Sequence, residues 1–442
     1  MTGVELLRAP LFHTPANPFR DERALVCYED GGLLVRDGRI AASGDYHAVR
    51  ASCPEAPTVD WRAGFVLPGF VDTHSHFPQL RIIGALGRSL PDWLEHVALP
   101  EEARMADTAC ATDTAHAFLR ALASHGTTTA LVFGAHFASA TAALFDAAGA
   151  AGLRLISGLV VSDRRLRPEL HQSPPDAYRD STELIRRFHG RGRLLYAVTP
   201  RFALSTSEAM LEVCQTLLAE HGGLRVQTHL NENTSEVAEV ARLFPWAQDY
   251  LAVYERYALT GSRAVMAHNV QASDAELERL AATRTSIAHC PSSNAALGSG
   301  IFPLRRHLDA GVECSLGTDV GGGTGFGMLK EGLQAYLMQR VAPDAVSLDP
   351  ARLCYLATLA GAEAVGLGHE IGDFRVGKAA DLVYLRPPAG SPLAGVLERV
   401  ESPEQALSAI FTLAGEESVQ EVRVEGSPVY RAAGSNESML RA

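Results

Sequence analysis

Lysine is almost absent from this chain of 442 residues and occurs only at Lys330 and Lys378. Arginine therefore supplies nearly all of the 39 basic side chains, against 51 acidic ones, and the formal net charge is −12 at pH 7. A chain with this acidic balance and no block of basic residues has no general attraction for nucleic acid or anionic membranes. We therefore expect a small-molecule substrate, and neither nucleic acid nor a membrane as a partner.

The chain also lacks paired cysteine motifs and long apolar runs. Its seven cysteines are dispersed and include no CxxC, a pattern that is typical of reduced thiols in a cytosol-like compartment. No run of about 18 uncharged apolar residues is present, and the first residues do not have the pattern of a secretory signal. We therefore expect a cytoplasmic protein without a membrane span.

Apolar strand-like runs alternate with segments of helical periodicity through the middle of the chain, over residues 67–366. Eight candidate strands can be counted, and they end near His76, Gly134, Asp163, Arg201, Leu230, His268, Cys290 and Asp319. Eight such units in about 300 residues predict an α/β fold, a (β/α)8 TIM-like barrel that forms the catalytic domain.

Both ends of the chain contain short strands and turns. Residues 31–40 are two apolar runs around Asp37-Gly38, which is the usual signal of a β-hairpin. Residues 381–385 and 422–426 are also strand-like and flank a probable helix near 403–412. We predict that residues 1–66 and 367–442 pair into one composite β-sandwich domain.

Polar side chains that can bind a metal stand at the ends of several candidate strands. His74 and His76 are two residues apart, so both imidazoles of an extended strand face the same side. His229, His268 and Asp319 end the fifth, sixth and eighth strands, where barrel enzymes place their chemistry. Imidazoles with one carboxylate form a nitrogen and oxygen site for a divalent cation, zinc in the first place.

These segments resemble the amidohydrolase superfamily. Residues 68–76, with the sequence Pro-Gly-Phe-Val-Asp-Thr-His-Ser-His, look like its opening motif, and Thr228-His229, His268 and Gly317-Thr318-Asp319 are similar to its later motifs. The resemblance implies a barrel metal hydrolase with a small β-sandwich, in which the metal is surrounded by His74, His76, His229, His268 and Asp319. It also implies a homodimer, and iron as a possible substitute for zinc. Whether His268 binds the metal or orients the attacking water stays open.

Two-metal members of this superfamily usually bridge their ions with a carboxylated lysine from the fourth strand. This chain has no lysine before the eighth candidate strand, and Lys330 lies beyond Asp319. We therefore predict one catalytic metal ion per chain.

Glu232 follows His229 by three residues and is the candidate acid and base. A metal ion can lower the pKa of a bound water to about 7, and a nearby carboxylate can then carry its proton to a substrate ring nitrogen. The resemblance assigns this shuttle to Glu232, and Asp319 would orient the water and accept its proton. The alternative is that Glu232 caps the following helix.

The remaining candidates concern the substrate. Gln79, Trp93 and the pair Arg201-Phe202, together with residues 286–294, resemble the superfamily members that deaminate guanine. An arginine fork donates to ring acceptors, a glutamine amide both donates and accepts, and an aromatic ring can cover a flat base. Structural alternatives are an ion pair for Arg201, a solvated loop position for Gln79 and core packing for Trp93.

Two other functions stay open. One is a related deaminase or C–N hydrolase that acts on another aminopurine, a pterin, a triazine or a cyclic amide. The other is a binding protein that has kept the fold without catalysis.

Overall fold

The computed structural model describes residues 3–433, and these contain two β-sheets surrounded by helices. The strands are β1 (Val4–His13), β2 (Val26–Arg36), β3 (Arg39–Asp45), β4 (Thr58–Asp60), β5 (Phe65–Pro68), β6 (Phe70–His76), β7 (Thr127–Phe133), β8 (Arg154–Gly158), β9 (Val160–Val161), β10 (Leu194–Pro200), β11 (Arg225–Leu230), β12 (Ala264–His268), β13 (Ser286–His289), β14 (Cys314–Leu316), β15 (Leu382–Leu385), β16 (Val419–Val424) and β17 (Ser427–Arg431).

The α-helices are α1 (Tyr46–Ser52), α2 (Leu90–Trp93), α3 (Leu99–Ala103), α4 (Thr108–Ser124), α5 (Ala138–Ala151), α6 (Pro174–Phe188), α7 (Glu208–Glu220), α8 (Thr234–Leu243), α9 (Tyr250–Arg256), α10 (Asp274–Thr283), α11 (Pro291–Ala296), α12 (Leu304–Asp309), α13 (Met328–Val341), α14 (Pro350–Ala357), α15 (Leu359–Ala364), α16 (Pro392–Leu397) and α17 (Pro403–Leu413). Short 3-10 helices span Phe77–Ile82, Arg104–Ala106, Pro168–Leu170, Ala203–Ser205 and Glu416–Ser418, and a π-helix spans Leu94–Ala98.

The middle of the chain forms the predicted barrel. Strands β6, β7, β8, β10, β11, β12, β13 and β14 pair in that order and in parallel, while β9 adds a short pairing to β10. Main-chain hydrogen bonds of 2.8 Å close the ring, from Asp319 N to His74 O and from His76 N to Val320 O. The eight strand ends predicted from the sequence coincide with these strands, so the (β/α)8 barrel is confirmed.

Strands from both ends of the chain form a second, mixed sheet of eight strands. Its order is β17-β16-β15-β5-β1-β2-β3, and β4 pairs with β1. The two ends meet where β15 runs antiparallel to β5, with Leu382 opposite Pro68. The predicted hairpin joins β2 to β3 through Asp37 and Gly38, whose φ angles of 51° and 78° suit a primed two-residue turn. The predicted domain boundaries, 1–66 with 367–442 and 67–366, stay predictions.

The hydrophobic core lies inside the barrel and between its strands and helices. All seven residues of β7 are buried, as expected for a parallel strand covered on both faces. Inside the barrel, one cluster joins Val71, Leu131, Ile156, Val265 and Ala288 from five strands. This packing holds the strands in register, and the strand ends above it position the polar side chains.

Arg154 connects the barrel to the terminal sheet. It lies at the start of β8 and is buried, and it donates from Nε to Asp381 at 2.7 Å and from Nη2 to Glu425 at 3.0 Å. Both acceptors belong to the C-terminal part of the second sheet. Because a buried guanidinium needs its acceptors, these bonds fix the sheet against the amino-terminal end of the barrel.

Helical turns after β6 cover the opposite end of the barrel. The 3-10 helix Phe77–Ile82, helix α2 and the π-helix Leu94–Ala98 follow one another directly after the His74–His76 strand end. Among the described residues, no helix combines the length and apolarity that crossing a membrane requires.

Candidate metal centre and active site

Five predicted side chains converge at the carboxyl end of the barrel. The Nε2 atoms of His74 and His76 are 3.3 Å apart, and they lie 3.3 and 3.4 Å from Oδ1 of Asp319. His74 also forms a group with His229 and His268 in which the ligand atoms lie within 4.8 Å of one another. All five side chains are buried. This cluster joins residues from β6, β11 and β12 with the residue that follows Thr318 at the end of β14.

Hydrogen bonds orient two of these histidines for metal binding. His229 Nδ1 donates to the main-chain oxygen of Arg201 at 2.6 Å, and His268 Nδ1 donates to Oδ1 of Asn294 at 2.8 Å. Because a carbonyl oxygen only accepts, each Nδ1 carries the proton and each Nε2 keeps its lone pair for a metal. Burial lowers the pKa of His229 well below its usual value and that of His76 to about 4, which keeps both imidazoles neutral.

The donor set fits a divalent cation. Neutral imidazole nitrogens and one carboxylate oxygen form the nitrogen and oxygen environment that borderline metals prefer. Burial opposes the charge of Asp319, but hydrogen bonds from His74 and His76 lower the pKa of Asp319 well below its usual value. The carboxylate is therefore ionised and available as a ligand.

Asp72 stabilises this cluster by hydrogen bonds to two of its segments. Its carboxylate accepts from Thr318 N at 3.0 Å, from Thr318 Oγ1 at 2.6 Å and from His74 N at 3.2 Å. One side chain thus connects the histidine strand to the residue that precedes Asp319. His268 and Asp319 themselves have φ angles of 72° and 46°, so each strand end bends through the left-handed region at the candidate ligand.

We call the five candidate ligands His74, His76, His229, His268 and Asp319 the metal-binding group. Glu232 lies beside it. Its Oε2 is 3.7 Å from His268 Nε2, and its Oε1 accepts from Ser299 Oγ at 3.4 Å. Burial and then the charge of Asp319 raise the pKa of Glu232 to about 8, a value that suits proton exchange near neutral pH. Helix α8 is instead capped by Asn233, whose side chain accepts from Ser235 N at 2.9 Å.

The predicted substrate-binding residues line the same cavity as four of the five candidate metal ligands. The complete lining is His76, Gln79, Leu90, Trp93, Leu94, Arg201, Phe202, His229, Glu232, His268, Leu297 and Asp319. Gln79 is buried and not a solvated loop residue. Trp93 contributes to the lining and also packs with Leu90 and Leu297 in an apolar cluster. Their roles toward a substrate stay predictions.

The cavity is nearly closed. Its volume is about 20 Å³, whereas a neighbouring cavity of about 540 Å³ lies outside it. The smaller volume holds about one water molecule. Three side chains, those of Leu90, Leu94 and Phe202, line both cavities. They therefore separate the small cavity at the metal-binding group from the larger outer cavity. A heterocycle can enter only if some of these side chains move.

Sequence reasoning missed Glu102, which lies behind the cavity. Its carboxylate accepts from Gln79 Nε2 at 2.7 Å, from Arg201 Nη2 at 2.8 Å and from His136 Nε2 at 3.1 Å. Arg201 is thus the ion-pair former that was considered as an alternative, while it also lines the cavity. No motif marks Glu102, because it lies on α3 and at no strand end.

Neither lysine contributes to the metal-binding group. Lys330 Nζ donates to the main-chain oxygen of Thr324 at 2.8 Å, and Lys378 Nζ forms an ion pair with Asp373 at 2.6 Å.

A family comparison agrees with this geometry. The model of the amidohydrolase family matches residues 65–429, which include the barrel and every candidate site residue. The chain belongs to the amidohydrolase family. Membership implies a hydrolase with a divalent metal and explains why the five candidate ligands meet at the carboxyl ends of the strands.

Several proteins are similar to this chain over nearly its whole length. The chain is 55% identical over 97% of its length to a probable guanine deaminase of Deinococcus radiodurans, covering 99% of that protein. It is 39% identical to the guanine deaminase of Escherichia coli, over 97% of this chain and 99% of that one. A crystal structure of guanine deaminase from Bradyrhizobium japonicum superposes with a TM-score of 0.93 and 33% identity, covering 98% of this chain and 100% of that one.

Proposed function

We propose that this chain is a zinc-dependent aminohydrolase that converts guanine and water to xanthine and ammonia. One observation carries the proposal: four of the five candidate metal ligands, the buried carboxyl of Glu232 and the hydrogen-bonding side chains of Gln79 and Arg201 line a single cavity. The names of the similar family members support the choice of guanine as the substrate.

The reaction needs a nucleophilic water and a proton shuttle. When bound, a divalent cation lowers the pKa of a water molecule and so makes it a nucleophile at neutral pH. Glu232 takes the proton of the attacking water and delivers it to a ring nitrogen, which makes the adjacent carbon more electrophilic. Asp319 orients the water, and His268 either binds the metal or holds the water by a hydrogen bond.

Addition of water to the base is followed by loss of its amine. The water oxygen adds to the ring carbon that carries the exocyclic amine, and the bond between that carbon and the amine breaks. The first proton stays on the ring nitrogen. Asp319 accepts the remaining proton from the added hydroxyl, and this proton passes to the amine, which leaves as ammonia. The carbon keeps the oxygen as the new carbonyl of xanthine.

The base is held by side chains at the cavity wall. Arg201 and Gln79 present N–H donors and an amide oxygen to the edge of the purine. Phe202 and Trp93 are both at least 96% buried and supply apolar surface for its flat face. A neutral, planar base can form hydrogen bonds with the polar side chains through the donors and acceptors on its edge, and it can pack its flat face against the aromatic ones.

The proposal also includes one zinc ion per chain, a homodimer and a cytoplasmic location. The neutral imidazole set supports zinc, with iron as a substitute. The seven cysteines all lie within the described residues and have free thiols, which supports a reducing compartment. Light scattering of the purified chain measures the oligomeric state directly.

The decisive experiment measures ammonia and xanthine release from guanine by purified, zinc-loaded protein. Adenine, a pterin, a triazine and a cyclic amide are assayed at the same concentration. The expected result is release from guanine at a rate well above that from the other compounds. If metal is bound and guanine is not consumed, the substrate is to be sought among the other compounds. A protein that binds guanine but converts none of them is a binding protein.

A further inference from the structure

Glu102 is a buried carboxylate around which three polar side chains converge. Its Oε1 accepts from Gln79 Nε2 at 2.7 Å and from Arg201 Nη2 at 2.8 Å. Its Oε2 accepts from His136 Nε2 at 3.1 Å and from Arg201 Nε at 3.4 Å. We call Gln79, Glu102, His136 and Arg201 the Glu102 cluster, and all four residues are at least 96% buried.

The Glu102 carboxylate has little capacity left for a ligand. An ionised carboxylate offers about four lone-pair sites, and the cluster directs one donor to each. Glu102 also lies behind the cavity, whereas Gln79 and Arg201 form part of its lining. Any effect of Glu102 on a bound base therefore passes through these two side chains.

Glu102 determines which edge of the Gln79 amide faces the cavity. Gln79 Nε2 donates to Glu102, and Gln79 Oε1 accepts from Gly321 N at 3.1 Å. Because one end of the amide needs an acceptor and the other needs a donor, the reversed orientation would lose both bonds. One N–H and one lone pair of the amide then remain for the base.

The guanidinium of Arg201 is held in the same way. Nε and Nη2 are directed at Glu102, which leaves Nη1 for the base. Burial opposes the ionisation of Glu102, but the charge of Arg201 and the hydrogen bond from His136 lower the pKa of Glu102 well below its usual value. The ion pair thus neutralises a buried cation close to the metal-binding group.

We propose that Glu102 is a positioning residue for base binding, which fixes the Gln79 amide and the Arg201 guanidinium in the orientations that contact the edge of the purine. This inference rests on the proposed function, because it takes guanine as the base that is bound. Glu102 does not contact the reacting atoms, so its loss weakens binding of the base more than it slows the chemical step.

The test compares Glu102→Gln with the wild type and with Glu101→Gln as the matched control. Glu101 is the preceding residue on α3 and pairs with Arg104 at 2.7 Å, away from the cavity. We expect Glu102→Gln to raise KM for guanine about tenfold or more, with a smaller change in kcat and unchanged metal content. Glu102→Asp keeps the charge and should give an intermediate KM, whereas Glu101→Gln should leave KM unchanged.

A double-mutant cycle with Gln79→Ala shows whether Glu102 acts through Gln79. If it does, the double variant has a KM close to that of the weaker-binding single variant, because both changes remove the same contact. If the two single variants raise KM by factors that multiply in the double variant, Glu102 does not act through Gln79. An unchanged KM in Glu102→Gln, or a loss of kcat with metal content at constant KM, overturns the positioning role.

A replacement that fails to fold does not prevent the test. His136→Phe removes one of the hydrogen-bond donors to Glu102 while it leaves the Glu102–Arg201 pair intact, and it should raise KM about threefold. An unchanged KM in that variant contradicts the proposal. Wild-type turnover of guanine is measured first, because its absence refutes the proposed function, whereas turnover with equal KM values refutes only the role of Glu102.

Discussion

The main-chain oxygen of Arg201 accepts a hydrogen bond from Nδ1 of His229 at 2.6 Å. The guanidinium of the same arginine binds Glu102 behind the cavity. One residue therefore orients a candidate metal ligand with its backbone and belongs to the proposed base-binding wall with its side chain. Replacing the side chain separates the two tasks, because the backbone bond to His229 remains.

Arg201→Lys should weaken base binding without loss of metal. An ammonium group cannot reproduce the planar fork that Glu102 accepts, so we expect KM for guanine to rise about tenfold or more. Steady-state kinetics and metal analysis of the same preparation check this result. Arg165→Lys is the matched control, because Arg165 is half-exposed and pairs with Glu239. Loss of metal in Arg201→Lys would show that the side chain also supports the histidine cluster.

Glu232→Gln should remove the proton shuttle. A glutamine of similar size cannot take or return a proton, so kcat should fall about 10²- to 10⁴-fold. Metal content should stay the same, since Glu232 stands beside His268 and not among the five candidate ligands. Glu239→Gln, which changes a partly exposed carboxylate of α8 that pairs with Arg242, is the matched control and should retain full activity. A Glu232→Gln enzyme with near wild-type kcat would exclude Glu232 as the shuttle.

Metal removal should abolish activity and be reversible. Dialysis against a chelator should stop ammonia release, and added zinc should restore it at about one equivalent per chain. His76→Asn should lower metal content, because it removes one imidazole that faces Asp319. His125→Asn, which changes a histidine outside the cavity, should bind metal normally. A content near two ions per chain would contradict the one-metal prediction.

The buried imidazole of His13 should make the fold sensitive to acid. Its Nδ1 accepts from Phe374 N at 3.2 Å, and burial lowers the pKa of His13 from 6.5 to about 4. Above pH 6.5 the imidazole of His13 is neutral in both the folded and the unfolded protein, so it adds no pH dependence to the free energy of unfolding. Between pH 6.5 and about 4 only the unfolded state binds the proton, so the free energy of unfolding falls by about 3 kcal/mol.

His13→Asn isolates this contribution. The amide oxygen of asparagine can accept from Phe374 N and does not titrate, so the variant should lose less stability on acidification. Denaturant unfolding of both proteins at pH 7, 5.5 and 4 measures the difference. Parallel losses in the two proteins would assign the acid sensitivity to other buried histidines, such as His307.

The barrel was predictable because its strands are buried on both faces and carry their polar residues at one end. The motif around His74 and His76, with His229, His268 and Asp319 at later strand ends, predicted the five candidate ligands that the structure brings together. The two-residue spacing on β6 directly implies that both imidazoles face one side. Gln79 and Arg201, which the structure places at the cavity, were also singled out, since each follows a strand or belongs to a recognisable segment. Their role toward a substrate stays a prediction.

Glu102 was not predictable as a neighbour of the cavity, and Asn294, although it lies in the segment 286–294 that was singled out, was not predictable as the partner of His268. Glu102 lies on a short helix beside the equally acidic Glu101, and nothing in the sequence distinguishes the residue that turns inward. The direction of each carboxylate depends on how the helical turns after β6 pack over the barrel mouth. Asn294, which holds His268, is likewise placed by the start of α11 and not by its neighbours in sequence.

The sequence by itself determined the barrel, the strand ends and the chemical types gathered there, because strand periodicity and apolar runs act over a few residues. Only the tertiary structure decided that Arg201 is paired with Glu102, that Asn233 and not Glu232 caps α8, and that Leu90, Leu94 and Phe202 nearly close the cavity. Some of these contacts join side chains that are far apart in the chain. Others decide which of two neighbouring side chains takes one position, such as the cap of a helix. Their outcome depends on burial and hydrogen-bond geometry across the whole barrel mouth, which no local pattern contains.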